Sequence, residues 1–301
     1  MSMRVATFAT SNRLLDASMR LQSRMTEMQL REASGVKSSD YGGLGTQSGT
    51  LINLETSLKR ASAYATAISE ASDRIDAMYS VLGNVTDMLT DFRTQISAAL
   101  SADGDEDTNS ALVATAQSYL EELASTLNSK FEGRYLFSGS LTETAPVDLD
   151  GYVADADTES TSYYDGDTLL ASVRASSEMT LTYGIGASDS AFEQAIRAFG
   201  IIAGATETPD SDRLETAYSL LESALDDTIA LQSGISASSS SLERMAAWQS
   251  DYKAMLSASI SEIKDVDVAE ITVRLTTYQT QLEASYAALA KVMSISLQSY
   301  L

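Results

Sequence analysis

Between Thr50 and Leu100 apolar residues recur at alternating steps of three and four, and no proline interrupts them. The seam reads Leu51, Leu54, Leu58, Ala61, Ala65, Ile68, Ser72, Ile75, Tyr79, Leu82, Thr86, Leu89, Arg93, Ile96 and Leu100, with twelve of the fifteen apolar. A period near 3.5 held for about seven heptads is a coiled-coil signal. Gly83 is the only glycine inside it. At about 1.5 Å per residue the helix would run roughly 75 Å. A typical helix has about 11–12 residues, so this one requires partner helices along its length.

Both chain ends carry seams of the same kind. Leu14, Ser18, Leu21, Met25 and Met28 fall on one side of a helix that ends near Ser34. Gly35 suits the position after a helix end, since it adopts the left-handed conformation without a Cβ clash. Lys37 to Thr50, with Gly42, Gly43, Gly45 and Gly49, reads as a loop. At the other end Ile271, Leu275, Tyr278, Leu282, Ser285, Leu289 and Val292 repeat at four and three. Such stripes bury themselves only against another helix, so the two terminal seams are expected to pair. In between, Asp103 to Asn109 is a polar turn, and Ala111 to Asn128 is helical, which makes 50–128 a helical hairpin. Helices are also expected over Ala191–Ile202, Asp210–Leu231 and Leu242–Lys264, with the serine-rich Ser236–Ser241 as a weak spot within or beside the last.

The texture changes at Phe131. Short aromatic runs bounded by glycine read as strands: Phe131–Ser140, Ser162–Tyr164, Leu169–Arg174 and Met179–Tyr183, with Asp165-Gly166 as a hairpin turn. The expected architecture is mainly α, with long antiparallel coiled-coil helices from both ends and a small β-rich insertion in the middle. Residues 1–49 and 266–301 form a terminal coiled-coil domain, 50–131 and 188–265 a helical rod, and 132–187 a β-rich outward module.

Composition narrows the function. The chain has no cysteine and no histidine. Disulfides and thiolate metal sites are thereby excluded, and the commonest general base is missing. The net charge is −22, with fifteen Asp/Glu against three Lys/Arg over residues 141–215. That surface repels phosphate backbones, so nucleic acid is not an expected partner. No run of 18 apolar residues is present, so membrane insertion is not expected. The first residues lack an apolar core followed by a small-residue cleavage site, so no cleaved secretory signal is expected. Sticky near-neutral ends around an acidic middle suit a subunit that repeats head to tail along an axis.

Four separated segments resemble the bacterial flagellin family, in order and over nearly the whole chain. Glu32-Ala-Ser-Gly-Val-Lys-Ser-Ser-Asp40 is similar to the segment between that family's first two helices, with Gly35 and Asp40 carrying the match. Gly133, Arg134, Tyr135, Phe137 and Gly139 resemble a stretch of its hook–filament junction proteins. Tyr163–Asp167 and Tyr183–Ala187 look like the β-region of that branch, and Gln279–Leu301 is similar to the family's C-terminal helix. Lys37-Ser-Ser-Asp-Tyr-Gly stands where filament flagellins usually carry Asn-Ser-Ala-x-Asp-Asp, which favours the junction branch over a filament flagellin.

The resemblance implies a structural subunit of the bacterial flagellum, not an enzyme, that needs no cofactor and lies outside the cell. It implies terminal helices lining a channel and self-assembly through them, with Leu14, Leu21, Met25, Met28, Ile271, Leu275, Tyr278, Leu282, Leu289 and Val292 at the interface. The implied partners are further copies, hook-associated proteins and flagellin, the flagellar export machinery and a secretion chaperone. Export would be unfolded and without a cleaved signal, a route that the absence of cysteine suits. The rival from another class is a coiled-coil adaptor that stays in the cell.

Several features have a bland and a sharp reading. Asp148, Asp150 and Glu159 fit a calcium-loop spacing, but Tyr152 and Val153 break it, and a solvated acidic loop is the plainer account, as it is for Asp103–Asp107. Gly42-Gly-Leu-Gly45 follows no strand and precedes no Lys-Ser/Thr, so it is a turn and not a phosphate cradle. The methionines at seam positions are core packing, or adaptable contacts between non-equivalent neighbours. The arginines of the first helix alternate with Asp16, Glu27 and Glu32, so a charged face in an assembly fits better than a membrane-surface helix. If the ends order only on assembly, limited proteolysis of dilute monomer should trim both termini first; a protected N-terminus would contradict this.

Overall fold

In the computed structural model, which describes residues 2–101, 106–205 and 209–298, six helices and two small hairpins follow one another. They are α1 (Ser2–Ser34), a short 3-10 stretch (Gly42–Gln47), α2 (Ser48–Ser101), α3 (Glu106–Leu127), β1 (Lys130–Phe131), β2 (Arg134–Tyr135), β3 (Ala171–Arg174), β4 (Thr180–Tyr183), α4 (Ser190–Ala203), α5 (Ser211–Lys264) and α6 (Val268–Gln298). The chain divides into two compact units, 1–59 with 253–301, and 60–252. The fold is mainly α with a small β-containing insertion, as expected. Of the turn expected over Asp103–Asn109, residues 103–105 lie outside the described residues, and Glu106–Asn109 are instead the start of α3.

In the smaller unit α1 and α6 pack against each other. Thr272 Oγ1 donates to Glu32 Oε1 at 3.1 Å, so the end of α1 lies beside the start of α6 and the pair is antiparallel. Ser18, Ile271 and Leu282 are buried in this seam, and Leu14, Leu21, Met25 and Met28 are half-buried along it.

The larger unit is built on one face of α2. Ile68, Ala71, Ile75, Met78, Leu82, Val85, Leu89, Phe92, Ile96 and Ala99 are all buried. Five of the fifteen expected seam positions, all beyond Ile68, are therefore corrected. Ile68, Ile75, Leu82, Leu89 and Ile96 hold, but the alternate positions sit one residue earlier than expected. Ala71, Met78, Val85, Phe92 and Ala99 point inward, and Tyr79, the bulkiest of the expected set, is 47% exposed. The steps run three then four, which makes every inward position apolar and leaves Ser72, Thr86 and Arg93 at the margin.

Phe92 gathers the neighbouring helices. Its ring meets Tyr119 of α3 edge-on at 5.5 Å and Phe199 of α4 at 5.1 Å. Helix α4 is apolar nearly all round, with nine buried residues from Ala191 to Ile202, as befits a helix enclosed by others. Gly200 lets the 150–156 loop cross it, since a Cβ there would come within 2.7 Å of the Ala154 methyl. Helix α5 runs unbroken through the serine-rich stretch. Ser233, Ser238 and Ser241 return their hydroxyls to carbonyls four residues back, so none leaves an unmet polar group.

The β structure departs from expectation. Lys130 pairs with Tyr135 and Phe131 with Arg134 around Glu132-Gly133, both at positive φ, a tight two-residue hairpin. Ala171–Arg174 pairs with Thr180–Tyr183. Ser162–Tyr164 forms no strand; Tyr164 makes one isolated bridge to Val147. Asp165-Gly166 joins no two strands, because the Tyr164 ring folds back onto Gly166, where a Cβ would collide with it.

Phe92→Ala should cost about 3–5 kcal/mol, since it removes a large core ring from three helices at once. Gly83→Ala, which meets no neighbouring atom, should gain about 0.5–1 kcal/mol from backbone entropy. Urea unfolding followed by fluorescence of Trp248, the single tryptophan, checks both.

Candidate functional site

The segment that follows α1 holds the smaller unit's helix ends together. Gly35 takes φ 71° and its N–H donates to the Arg31 carbonyl at 2.9 Å, closing α1 as expected. Lys37 N–H then donates to the Lys264 carbonyl at 2.7 Å, and Val266 N–H to the Gly35 carbonyl at 3.0 Å. The Lys37 ammonium donates to the carbonyls of Glu262 at 2.6 Å and Ile263 at 3.0 Å. Those are last-turn carbonyls of α5, which lack helical partners and attract a cation. Asp40 Oδ1 accepts from Gly43 N–H at 2.8 Å. Gly43 must be glycine, since a Cβ would collide with the Ser38 side chain. The family-like residues Gly35 and Asp40 thus shape a turn, and Lys37 caps another helix. No local pattern in the sequence announces the last role.

Two further side chains complete the junction. Tyr41 donates its hydroxyl to Glu55 Oε2 at 2.7 Å, and Lys264 Nζ lies 3.3 Å from Glu55 Oε1. The tyrosine hydrogen bond, with Lys264 adding to it, holds the Glu55 carboxyl below its ordinary value of 4.5, and Tyr41 is raised in turn.

The segments of the insertion that carry the resemblance meet in one cluster of the larger unit. Phe137 is fully buried, with its ring 5.8 Å from Phe192. Its carbonyl accepts from Ala187 N–H at 2.9 Å. Tyr163, also fully buried, donates to the Ala187 carbonyl at 3.0 Å. Burial, with the negative charge of Glu193, raises its hydroxyl far above the ordinary tyrosine range. Tyr164 donates to the Asp167 carbonyl at 2.7 Å. The Asp167 carboxylate accepts the Ser140 hydroxyl, Ser140 N–H at 2.8 Å and Leu169 N–H at 3.0 Å, bonds that lower its pKa, the Ser140 hydroxyl foremost. Gly139, at φ 69°, lies where any Cβ would strike Asp167. Gly133 forms the hairpin, Arg134 is exposed, and Tyr135 lies under Lys130, whose ammonium is 4.3 Å from the ring centre. Arg74 of α2 pins the segment by donating to the Tyr135 carbonyl at 2.7 Å.

Nearby, Glu193 is 1% exposed and lies 3.1 Å from Arg197, and it accepts from Ser160 N–H. Tyr152, beside them, is pushed up to about 12 by burial first and by the Glu193 charge second. These groups fasten the 148–162 loop to α4. Asp148 and Asp155 accept from Asp150 N–H and Asp157 N–H within the loop. Among the described residues no three or more Asp, Glu, His or Cys are grouped to hold a metal ion. None of the described helices is long and apolar enough to cross a membrane.

All the proposed interface residues line one seam. Leu14, Leu21, Met25 and Met28 of α1 face the α6 side, and Ile271, Leu275, Tyr278, Leu282, Leu289 and Val292 of α6 are its buried or half-buried positions. Within one chain they are satisfied by each other. Among the described residues, the large apolar side chains that these two helices leave outward are a different set: Leu15, Met19, Leu30, Val268, Val273, Tyr286 and Met293, 44–66% exposed. Their signal was the run of paired apolar residues, Leu14-Leu15 and Val292-Met293, which one 3.5-residue seam cannot absorb.

Residues 218–301 match the bacterial flagellin C-terminal helical region. No curated protein sequence matches the chain. The fold is similar to that of a putative flagellar hook-associated protein from Vibrio parahaemolyticus, at TM-score 0.61 and 16% identity, over 72% of this chain and 97% of that one. It is also similar to FlgL of Bacillus cereus (TM-score 0.57, 17% identity, 69% and 98% covered). A third likeness is to flagellar hook-associated protein 3 of Legionella pneumophila (0.56, 13%, 70% and 98%). At these identities the likeness shows the fold.

The Glu55 contacts predict a pH effect with a definite sign. A lowered carboxyl pKa contributes stability above the ordinary value of 4.5 and loses it as pH falls through the folded value. Thermal midpoints of the native chain and of Glu55→Gln should therefore differ most at neutral pH and converge on acidification. A gap that is constant with pH would contradict the assignment.

Proposed function

We propose that this chain is a structural subunit of the bacterial flagellum that assembles at the hook–filament junction. The observation that carries this reading is a coincidence of two matches. The flagellin-like sequence at 218–301 covers α6 and most of α5, and 69–72% of this chain superposes on 97–98% of two flagellar hook-associated proteins, one of them putative, and an FlgL from three bacteria. The absence of histidine and cysteine and the structural use of the motif residues support a role without catalysis.

In this reading the α1–α6 pair is the assembling element. Its inward seam holds the pair together, and the outward Leu15, Met19, Leu30, Val273, Tyr286 and Met293 meet other copies, hook-associated proteins and flagellin. Three of these six, Met19, Tyr286 and Met293, are of the residue types enriched at interfaces. The acidic insertion lies on the outward side. The chain reaches the cell exterior through the flagellar export machinery, escorted by a secretion chaperone, without a cleaved signal.

Seeding onto purified hook and filament fragments, viewed by negative-stain electron microscopy, tests the proposal. A cap of fixed length on hook ends is expected. Long filaments of this subunit alone would make it a filament flagellin. A discrete soluble oligomer that binds neither fragment would favour the non-exported adaptor.

A further inference from the structure

One groove of the larger unit stands apart in charge. It encloses about 460 Å³ between α2, the first hairpin and β3, and Arg74, Arg134 and Arg174 line it with Leu169, Leu170 and Tyr183. Unit 60–252 has nine Lys/Arg in all. Three are here, and a fourth, Lys130, is on the strand paired to Arg134. Glu70 and Glu132 also line it. None of the four cations makes an ion pair among the described residues. Arg74 is partly buried and its Nε has no hydrogen-bond partner. Burial first, and the nearby Arg134 charge among other causes, destabilises its charged form. Leu169 and Leu170 are 66% and 40% exposed at the same place. The groove thus combines cations in want of anions with uncovered aliphatic surface.

The same unit presents the complement. From Leu136 to Val173 the chain has eight carboxylates and no basic residue. Five of these, Asp148, Asp150, Asp155, Asp157 and Glu159, are exposed and make no ion pair among the described residues. Amid them Val153 is 82% exposed, a fully displayed aliphatic side chain on an otherwise acidic loop.

We propose that the 148–159 loop of one copy docks in this groove of a second copy, with Val153 against Leu169 and Leu170 and the carboxylates on Arg134, Arg174 and Lys130. The contact is heterologous, so it leaves a free loop at one side of the pair and a free groove at the other, and it repeats along an open assembly. Opposite charge on the two surfaces fixes register and suppresses other partners. This rests on the assembly reading above and names a surface for it outside the terminal helices.

The chain has no cysteine, so two single variants, Val153→Cys and Leu169→Cys, report the contact cleanly. They are mixed, seeded on hook fragments, pelleted and oxidised. A disulfide-linked dimer containing one of each, in about tenfold excess over either homodimer, is the expected result. A pellet rich in both variants with no such excess overturns the contact and leaves the assembly reading standing. A pellet with neither variant, when the parent chain also fails to pellet, overturns the assembly reading and the contact with it. In unlabelled chains, Asp155→Arg with Asp157→Arg should weaken pelleting about tenfold at low salt. Unchanged pelleting of that variant would overturn the proposal as well.

Discussion

The larger unit depends on one unbroken apolar face of α2. Every other element there buries itself against it or against a helix that touches it. Phe92 shows the dependence most clearly, since its ring joins α2 to both Tyr119 and Phe199. With that face in place, α4 becomes a largely buried helix, and a 54-residue helix such as α5 can tolerate six residues rich in serine. Propensity alone would not hold such a helix, because most helical stability comes from packing an apolar face.

The insertion shows how short, widely spaced motifs come to depend on one another. The stretches around Phe137, Tyr163–Asp167 and Ala187 are far apart in sequence, yet each satisfies another's buried backbone groups. Phe137 gives its carbonyl to Ala187, Ala187 gives its own to Tyr163, and Asp167 ties Ser140 to Leu169. A buried polar group left unpaired costs about 1–3 kcal/mol, so losing one member would weaken the rest. The glycines follow from the same constraint. Gly133 supplies a hairpin turn and Gly139 makes room for Asp167. These residues build a stem for the insertion.

How much could be read from the sequence varied with what decided each element. The α1 and α6 seams were legible from their spacing, although Leu14-Leu15 and Val292-Met293 also offered a second apolar stripe, which the structure leaves outward. On α2 two stripes compete. Tyr79 and Leu100 counted as apolar in one, but Ala71, Met78, Val85, Phe92 and Ala99 form the other, and partners on α3 and α4 choose between them. The β-region was the least legible. Tyr163 and Tyr164 have strong strand propensity, yet burial of one ring and the fold-back of the other settle their backbone, and both are tertiary effects. Lys37 was seen only as a departure from a motif. Its role depends on the end of α5, which lies more than 220 residues later.

If the two chain ends act as one assembling element, their place in the finished structure is fixed. A cryo-electron-microscopy map of hook ends decorated with this protein tests that directly. Helices α1 and α6 are expected to form the innermost layer around the channel, with the Lys130–Tyr183 region on the outside. Terminal helices found at the periphery, with the acidic insertion toward the axis, would contradict it.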